Sequence, residues 1–202
     1  MDAAALIPIK RFEDAKGRLA PALTPDERVR LARWLAGRVL AAATPLPVFV
    51  ACDDEAVAEW SEQGGATVLW SPGMGLNGAV DASRETIAGK GFDHLVIAHS
   101  DLPLARELRT IVEDGTVSLV PDRRRDGTNV LAMPVNARIT ASYGANSFQA
   151  HLDMAVADNR YGVQIVDDER LAHDVDTPDD LADPILHEVL PTWLRTILAS
   201  QI

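Results

Sequence analysis

Residues 4–9 have the sequence Ala-Ala-Leu-Ile-Pro-Ile, an apolar run of strand length that leads directly into Lys10. Runs of this kind alternate along the chain with longer segments whose apolar residues recur at helical spacing. Further strands are predicted near 48–52, 66–70, 94–98, 116–120, 129–133 and 162–166, and helices from Thr24 to about 43 and near 54–63, 77–88, 104–113 and 146–158. The alternation predicts an α/β fold with an open, doubly wound sheet.

The chain length fits one domain, and no internal repeat, low-complexity stretch or linker divides residues 1–202. Thr24 is followed by proline and then by Glu27, which is the pattern of a capped helix start. Thr177 begins a second such pattern. The end of the chain predicts an amphipathic helix at about 184–200. We expect this helix to pack on its own domain, and an interface with a second copy of the chain, a homodimer, is the alternative.

The charge balance limits the classes of partner. The chain has 30 acidic and 19 basic side chains, with a net charge of −11 at neutral pH. This charge repels nucleic acid, but a nucleotide can still bind where a few cations cluster and divalent cations mask its phosphates. The N-terminus lacks the pattern of a signal peptide, and no window approaches the ~20 apolar residues of a membrane span. We therefore expect a cytoplasmic protein without a membrane partner.

Ligands of open α/β sheets bind beyond the carboxyl ends of the strands, so residues directly after apolar runs are candidates. Four cations stand within nine positions after the first run, at Lys10, Arg11, Lys16 and Arg18. A triphosphate needs positive charge to balance the phosphoryl oxygens as they gain negative charge in the transition state. We expect Lys10, Lys16 and Arg18 to supply it. A basic loop that simply faces water is the alternative.

Acidic residues follow two other predicted elements. Asp101 comes just after the run 94–98, where a carboxylate can hold a hard cation such as Mg²⁺. Asp174 and Asp176 alternate around Val175, so both face one side of an extended backbone and repel each other unless a cation or helix amides compensate. Asp101 and Asp176 are therefore expected to form a magnesium site. The alternatives are a helix cap and an acidic helix entry.

A fourth candidate site combines residues 126–131 with residues 143–148. Gly144 allows close approach of a ligand to the backbone, and Ser147 lies in the first turn of a predicted helix, where an oxyanion is favoured. Thr128 supplies a further hydroxyl. We expect a small phospho-acid to bind here, and ordinary turns are the alternative.

Taken together and in this order, these segments resemble the CofC/FbiD family of phospho-acid guanylyltransferases, which act in making the deazaflavin coenzyme F-420. The matching segments span almost the whole chain and lie at 7–10, 15–20, 75–77, 101–103, 121–122, 127–129, 144 with 147–148, and 174–178. Gly17 is a departure, because many relatives have serine there. The resemblance implies a Rossmann-like three-layer α/β/α fold with a mixed, mostly parallel sheet, similar to nucleotide-diphospho-sugar transferases.

The resemblance also implies the activity and the site. GMP is transferred from GTP to phosphoenolpyruvate, 2-phospho-L-lactate or 3-phospho-D-glycerate, and pyrophosphate is released. The implied site residues are the nucleotide ligands Lys10, Lys16, Arg18 and Asn77, the phospho-acid ligands Thr128, Gly144 and Ser147, and the metal ligands Asp101, Asp174 and Asp176. Lys10, Lys16, Asp101 and Asp176 are the expected catalytic group. The alternatives are a MobA-like or sugar-phosphate nucleotidyltransferase and a non-catalytic sensor of GTP or a phospho-acid.

Overall fold

The computed structural model describes residues 1–199, and its centre is a seven-stranded sheet. The strands are β1 (Ala3–Pro8), β2 (Val48–Cys52), β3 (Thr67–Trp70), β4 (His94–Ala98), β5 (Thr116–Pro121), β6 (Thr128–Pro134) and β7 (Gly162–Ile165). Their order across the sheet is β3-β2-β1-β4-β6-β5-β7. Only β6 runs against its neighbours β4 and β5, while the other pairings are parallel. The predicted mixed, mostly parallel sheet is confirmed.

The α-helices lie on both faces of the sheet or follow its last strand. They are α1 (Pro25–Ala43), α2 (Glu55–Gln63), α3 (Gly75–Gly89), α4 (Ser147–Ala157), α5 (Pro178–Leu181) and α6 (Thr192–Ala199). Helices α1 and α2 pack on one face, and α3 and α4 pack on the other. In β1, Ala5 and Ile7 face the first layer while Ala4 and Leu6 face the second. Burial on both faces explains why the strand is apolar throughout.

The predicted helix start at Thr24 is confirmed. The Thr24 hydroxyl accepts a hydrogen bond from the Glu27 backbone N–H at 3.4 Å, and the Glu27 carboxylate accepts one from the Thr24 N–H at 2.8 Å. Thr177 and Asp180 form the same reciprocal pair at the start of α5. These contacts satisfy amides that the first helical turn would otherwise leave without partners.

Two predicted helices are wrong. Residues 104–113 contain only a short 3-10 turn at Leu108–Ile111, because Glu107 adopts a left-handed conformation with φ +47°. The tail is not one helix over 184–200. A 3-10 turn at Pro184–Leu186 and helix α6 are separated by a segment that ends in Pro191, and proline lacks the amide a continuous helix requires. The prediction at residue 200 lies outside the described residues.

The C-terminal segment packs on its own domain, as predicted. Leu186, Leu190 and Leu194 are buried in an apolar cluster with Leu31 and Leu35 of α1. This cluster lies beside the loop that follows β1, so the tail supports one wall of the candidate site. No helix within residues 1–199 combines the length and the apolar character that crossing a membrane requires.

Candidate active site

The loop after β1 is held rigidly over the carboxyl end of the sheet. It contains two 3-10 turns, Phe12–Asp14 and Gly17–Leu19, with Lys16 between them. Phe12 and Leu19 are buried and anchor the two turns. Lys16 has φ +58° and ψ +34°, a left-handed conformation that a residue other than glycine rarely adopts. Such conformations persist where the surrounding structure enforces them, and they are frequent at functional sites.

Lys16 joins three segments that are distant along the chain. Its ammonium lies 2.7 Å from Asp101 Oδ2 and 3.1 Å from Asp176 Oδ1. The lysine side chain is only 9% exposed, whereas the Asp176 side chain is 43% exposed. Asp101 comes three residues after β4, and Asp176 comes two residues before α5. Lys16, Asp101 and Asp176 therefore meet at one rim of the sheet.

The acidic segment is fixed by its backbone. The Val175 N–H donates to the Asp101 carbonyl oxygen at 3.2 Å, and the Val175 side chain is buried in the core. Asp174 and Asp176, on either side of Val175, are only partly buried. The buried Asp180 carboxylate accepts hydrogen bonds from the Asp176 and Thr177 amides at 2.9 and 2.7 Å. This arrangement brings Asp176 to Lys16 without using its own carboxylate as a helix cap.

Burial and charge shift the pKa values of this cluster. Burial alone would lower the pKa of Lys16, but Asp101 and Asp176 outweigh it and raise that pKa above its usual value. Burial tends to raise the pKa of Asp101, yet the Lys16 ammonium holds it below the usual value. Asp174 has no such compensation, so burial and the negative charge of Asp101 raise its pKa to about 6. Lys16 and Asp101 are therefore both charged at neutral pH.

The other predicted nucleotide ligands are placed differently. Arg18 is 75% exposed, with Nη1 at 3.8 Å from Asp176 Oδ2. Lys10 is exposed and makes none of the ion pairs found within residues 1–199. The Asn77 amide bonds the Tyr143 backbone at both ends, with Oδ1 accepting at 2.8 Å and Nδ2 donating at 3.2 Å. Asn77 thus supports the loop that carries Gly144, and its contact with nucleotide stays a prediction.

Thr128, Gly144 and Ser147 come together in a second cluster. The Thr128 N–H donates to Ser147 Oγ at 3.0 Å, and Gly144 accepts from the Ser147 N–H at 3.2 Å. Gly144 has φ +136° and is exposed, whereas both hydroxyl residues are buried. Asp126 fixes the turn between them by accepting from the Asn146 N–H at 3.0 Å.

Two adjoining cavities open at the carboxyl ends of the strands. One of about 270 Å³ is lined by Lys10, Lys16, His99, Asp101 and Asp176. The other, of about 400 Å³, extends beside β2 toward Asp53 and Ser71. They share the residues Pro8, Ile9, Lys10, Asp14 and Leu76. Together they form an elongated cleft with the Lys16 ion pair at one end.

Comparisons with known proteins agree with this geometry. A family model described as "Guanylyl transferase CofC like" matches residues 3–192. The chain belongs to this family. It is 35% identical over 191 residues to the phosphoenolpyruvate guanylyltransferase of Sphaerobacter thermophilus, covering 90% of this chain and 91% of that protein. It is 31% identical over 194 residues to the 2-phospho-L-lactate guanylyltransferase of Methanothermobacter thermautotrophicus, covering 93% and 86%.

Solved structures support the fold of this CofC-like guanylyl transferase. A nucleotidyl transferase from Methanothermobacter thermautotrophicus superimposes with a TM-score of 0.59 at 16% identity, covering 98% of each chain. A cytidylyltransferase from Leptospira borgpetersenii gives 0.58 at 13% identity, covering 100% of this chain and 95% of the other. These structures show the fold. The family match and the guanylyltransferase relatives identify the chain as a nucleotidyltransferase, which sets aside the non-catalytic alternative.

Sequence reasoning missed one part of the CofC-like site. His99, Tyr143 and His151 form a continuous series of rings, with centroids 5.0 Å apart for the first pair and 4.8 Å for the second. The series connects the cavity at Asp101 with the Thr128–Ser147 cluster. His151 stands four residues after Ser147 on α4, and this spacing on one helical face is the signal that could have indicated it.

Proposed function

We propose that this chain transfers GMP from GTP to phosphoenolpyruvate, releases pyrophosphate, and acts in the making of coenzyme F-420. Two relatives, at 35% and 34% identity, bear the name phosphoenolpyruvate guanylyltransferase, which favours this acceptor over 2-phospho-L-lactate and 3-phospho-D-glycerate. The observation that carries the proposal is the buried Lys16 ammonium between Asp101 and Asp176 at the head of the cleft.

The lysines and Arg18 bind the nucleotide phosphates in this proposal. A lysine ammonium has three N–H donors, and Lys16 gives two of them to Asp101 and Asp176. The third is available to a phosphate oxygen. Lys10 and Arg18 are exposed at the rim, so they can swing onto the outer phosphates when the nucleotide enters. Their positive charge would stabilise the negative charge that develops on the departing pyrophosphate.

The acceptor binds at Thr128, Gly144 and Ser147. The two hydroxyls donate hydrogen bonds to its anionic oxygens, and Gly144 leaves its backbone open to close approach because it has no side chain. A phosphate oxygen of the acceptor then forms a bond to the α-phosphorus of GTP while the bond to the α–β bridging oxygen breaks. No general base is needed, because a phosphomonoester is already largely deprotonated at neutral pH. Rate enhancement comes from positioning and charge.

Asp101, Asp174 and Asp176 would hold Mg²⁺. Asp101 Oδ1 is buried and has no hydrogen-bond partner within residues 1–199, so this oxygen is available to bind a cation. Burial, together with the negative charge of Asp101, also raises the pKa of Asp174, and a bound cation would stabilise its ionised form. Against this, residues 1–199 contain no group of three or more histidine, cysteine or acidic side chains already arranged around a metal position. Bound Mg²⁺ would neutralise phosphate charge during the transfer.

The metal proposal can be tested without activity. Adding MgCl₂ should raise the melting temperature of the wild-type protein, because it relieves repulsion among the three carboxylates. Asp176→Asn should abolish most of this increase, with NaCl at matched ionic strength as the control for screening. An equal increase in both proteins would contradict binding at this site.

The function itself is tested by mixing the purified protein with GTP, Mg²⁺ and each acceptor in turn. We expect pyrophosphate release with phosphoenolpyruvate and a product whose mass is that of the acceptor plus GMP. Mannose 1-phosphate replaces the acceptor as a sugar-phosphate control, and ATP replaces GTP as a base control. No pyrophosphate with any phospho-acid would overturn the proposed function.

A further inference from the structure

His151 is a buried histidine whose two ring nitrogens are both engaged. The Ser142 backbone N–H donates to Nε2 at 3.0 Å, and Nδ1 lies 2.9 Å from Thr128 Oγ1. The residue is fully buried on α4, one turn after Ser147. A backbone N–H can only donate, so Nε2 must be the unprotonated nitrogen. A neutral ring then carries its single hydrogen on Nδ1.

This tautomer determines what the Thr128 hydroxyl can do. Because Nδ1–H is the donor, Thr128 Oγ1 accepts, and its own hydrogen must point elsewhere. Ser147 Oγ accepts from the Thr128 N–H in the same way. Within residues 1–199 neither hydroxyl donates to another protein group. Each hydroxyl, although buried, therefore keeps its own hydrogen for a group outside these contacts, such as an anionic ligand.

Burial keeps the ring in this state. Removal from water, together with the nearby His99, lowers the pKa of His151 to about 4, while Asp81 acts weakly in the opposite direction. A protonated ring would place a donor at Nε2 against the Ser142 N–H. The neutral form is the only one compatible with both contacts at physiological pH.

We propose that His151 is a positioning residue of the acceptor site, whose Nδ1–H fixes the Thr128 hydroxyl so that it donates to the phospho-acid. The inference rests on the proposed function, since it gives Thr128 the acceptor as its ligand. His151 itself touches no substrate in this view. Its effect passes through one hydroxyl oxygen and should therefore appear in acceptor binding and not in nucleotide binding.

Two substitutions of His151 each preserve one of its two hydrogen bonds and remove the other. In His151→Asn the amide nitrogen lies near the position of Nδ1 and can still donate to Thr128. In His151→Gln the amide oxygen can reach the position of Nε2 and accept from Ser142, but the donor to Thr128 is lost. We expect His151→Gln to raise KM for phosphoenolpyruvate by about tenfold or more, because the Thr128 hydroxyl is no longer held in the orientation in which it donates to the charged acceptor. His151→Asn should stay within about threefold of wild type, and KM for GTP should change in neither variant.

Thr128→Val provides the coupling test. Once the hydroxyl is absent, His151→Gln should raise the acceptor KM no further. A structural defect that spreads from α4 would instead add to the effect of Thr128→Val and would change KM for GTP as well. Melting temperatures of all variants identify any that fold poorly.

The tautomer can be read in the wild-type protein, independently of folding in the variants and of activity. Long-range ¹H–¹⁵N spectra of the imidazole should show Nδ1 protonated and Nε2 unprotonated. A proton on Nε2, or an unchanged acceptor KM in His151→Gln, would overturn the inference about His151. The proposed function would still stand in that case, provided that the wild-type protein releases pyrophosphate. A wild-type protein that releases no pyrophosphate with any phospho-acid would instead overturn the proposed function, and the acceptor role of His151 with it.

Discussion

The two aspartates that contact Lys16 differ in what their substitution would reveal. Asp101 is largely enclosed with the lysine, so neutralising it leaves a buried ammonium with one partner fewer. Breaking a buried pair costs about 3 kcal/mol of folding free energy, which would mix a loss of fold with a loss of function. Asp176 is nearly half exposed, and its carboxylate caps no helix. It is therefore the better residue for testing chemistry.

We predict that Asp176→Asn lowers the rate of pyrophosphate release by at least about a hundredfold, the scale of losing one charged group that stabilises the transition state. The melting temperature should fall by no more than a few degrees. Asp179→Asn is the matched control, since Asp179 is exposed in the same acidic segment and should leave the rate unchanged. Near-normal release by Asp176→Asn would remove this carboxylate from the mechanism.

Two glycines of the site, Gly17 and Gly144, differ in backbone conformation. A Cβ atom built on either Gly17 or Gly144 meets no atom within 4 Å, so space is not the issue at either position. Gly144 has φ +136°, a region that other residues rarely adopt, whereas Gly17 does not have a positive φ. The difference between them is therefore purely conformational.

Many relatives have serine at position 17. Gly17→Ser should therefore leave the urea midpoint of unfolding unchanged and the turnover within about twofold of wild type. Gly144→Ala should cost on the order of 1–3 kcal/mol of folding free energy, as measured by urea unfolding, and should raise the acceptor KM because the loop beside Ser147 must shift. If Gly144→Ala unfolds at the same urea concentration as Gly17→Ser, the backbone at residue 144 is not constrained in this way.

Among the secondary-structure elements, the sequence predicted those features that depend on interactions between residues close together in the chain. The apolar runs gave the strand positions to within one or two residues, and the Thr24 pattern gave the start of α1, because burial and capping act over a few neighbouring residues. The meeting of Lys16, Asp101 and Asp176 was also predictable, since each follows or flanks an element that ends at the same edge of the sheet. The positions of these residues thus follow from the topology.

The failures come from contacts between distant residues. Residues 104–113 have apolar residues at helical spacing, yet they form only a short turn. Just before them, Arg38 Nε of α1 donates to the Pro103 carbonyl oxygen at 3.1 Å. That donor stands 65 residues away and leaves no mark on the local sequence. His151 was missed for the same reason, because its importance depends on Thr128 of another element. The Asn77 amide makes another such distant contact, with a loop 66 residues further on, and its contact with nucleotide stays a prediction.

Helix α6 provides an element-level prediction. Leu194 is fully buried in the cluster with α1, so Leu194→Ala should lower the free energy of unfolding by about 2–5 kcal/mol through lost contacts and the cavity left behind. Sedimentation should show the same molar mass for the variant and the wild type, because the leucine is enclosed by its own chain. A drop in molar mass on substitution would instead support the homodimer alternative for this tail.

For the whole molecule, the buried histidine couples stability to pH. The pKa of His151 is about 4 in the folded protein, below the roughly 6.5 of a histidine in an unfolded chain. Between these two values the unfolded state binds more protons than the folded state, so the free energy of unfolding falls as pH falls. His99 adds to the lowering of this pKa and Asp81 opposes it, but burial remains the largest cause, so the direction is unchanged.

We predict that the wild-type protein loses up to about 3 kcal/mol of stability through this residue between pH 6.5 and pH 4. Asp174 acts in the opposite direction, because its raised pKa lets the folded state bind a proton first. The contribution of Asp174 cancels when wild type is compared with His151→Gln, because both proteins retain Asp174. Urea unfolding at several pH values should therefore show a flatter profile for the variant, and the two curves should run parallel above pH 6.5. Parallel curves over the whole range would mean that burial does not lower the pKa of this ring.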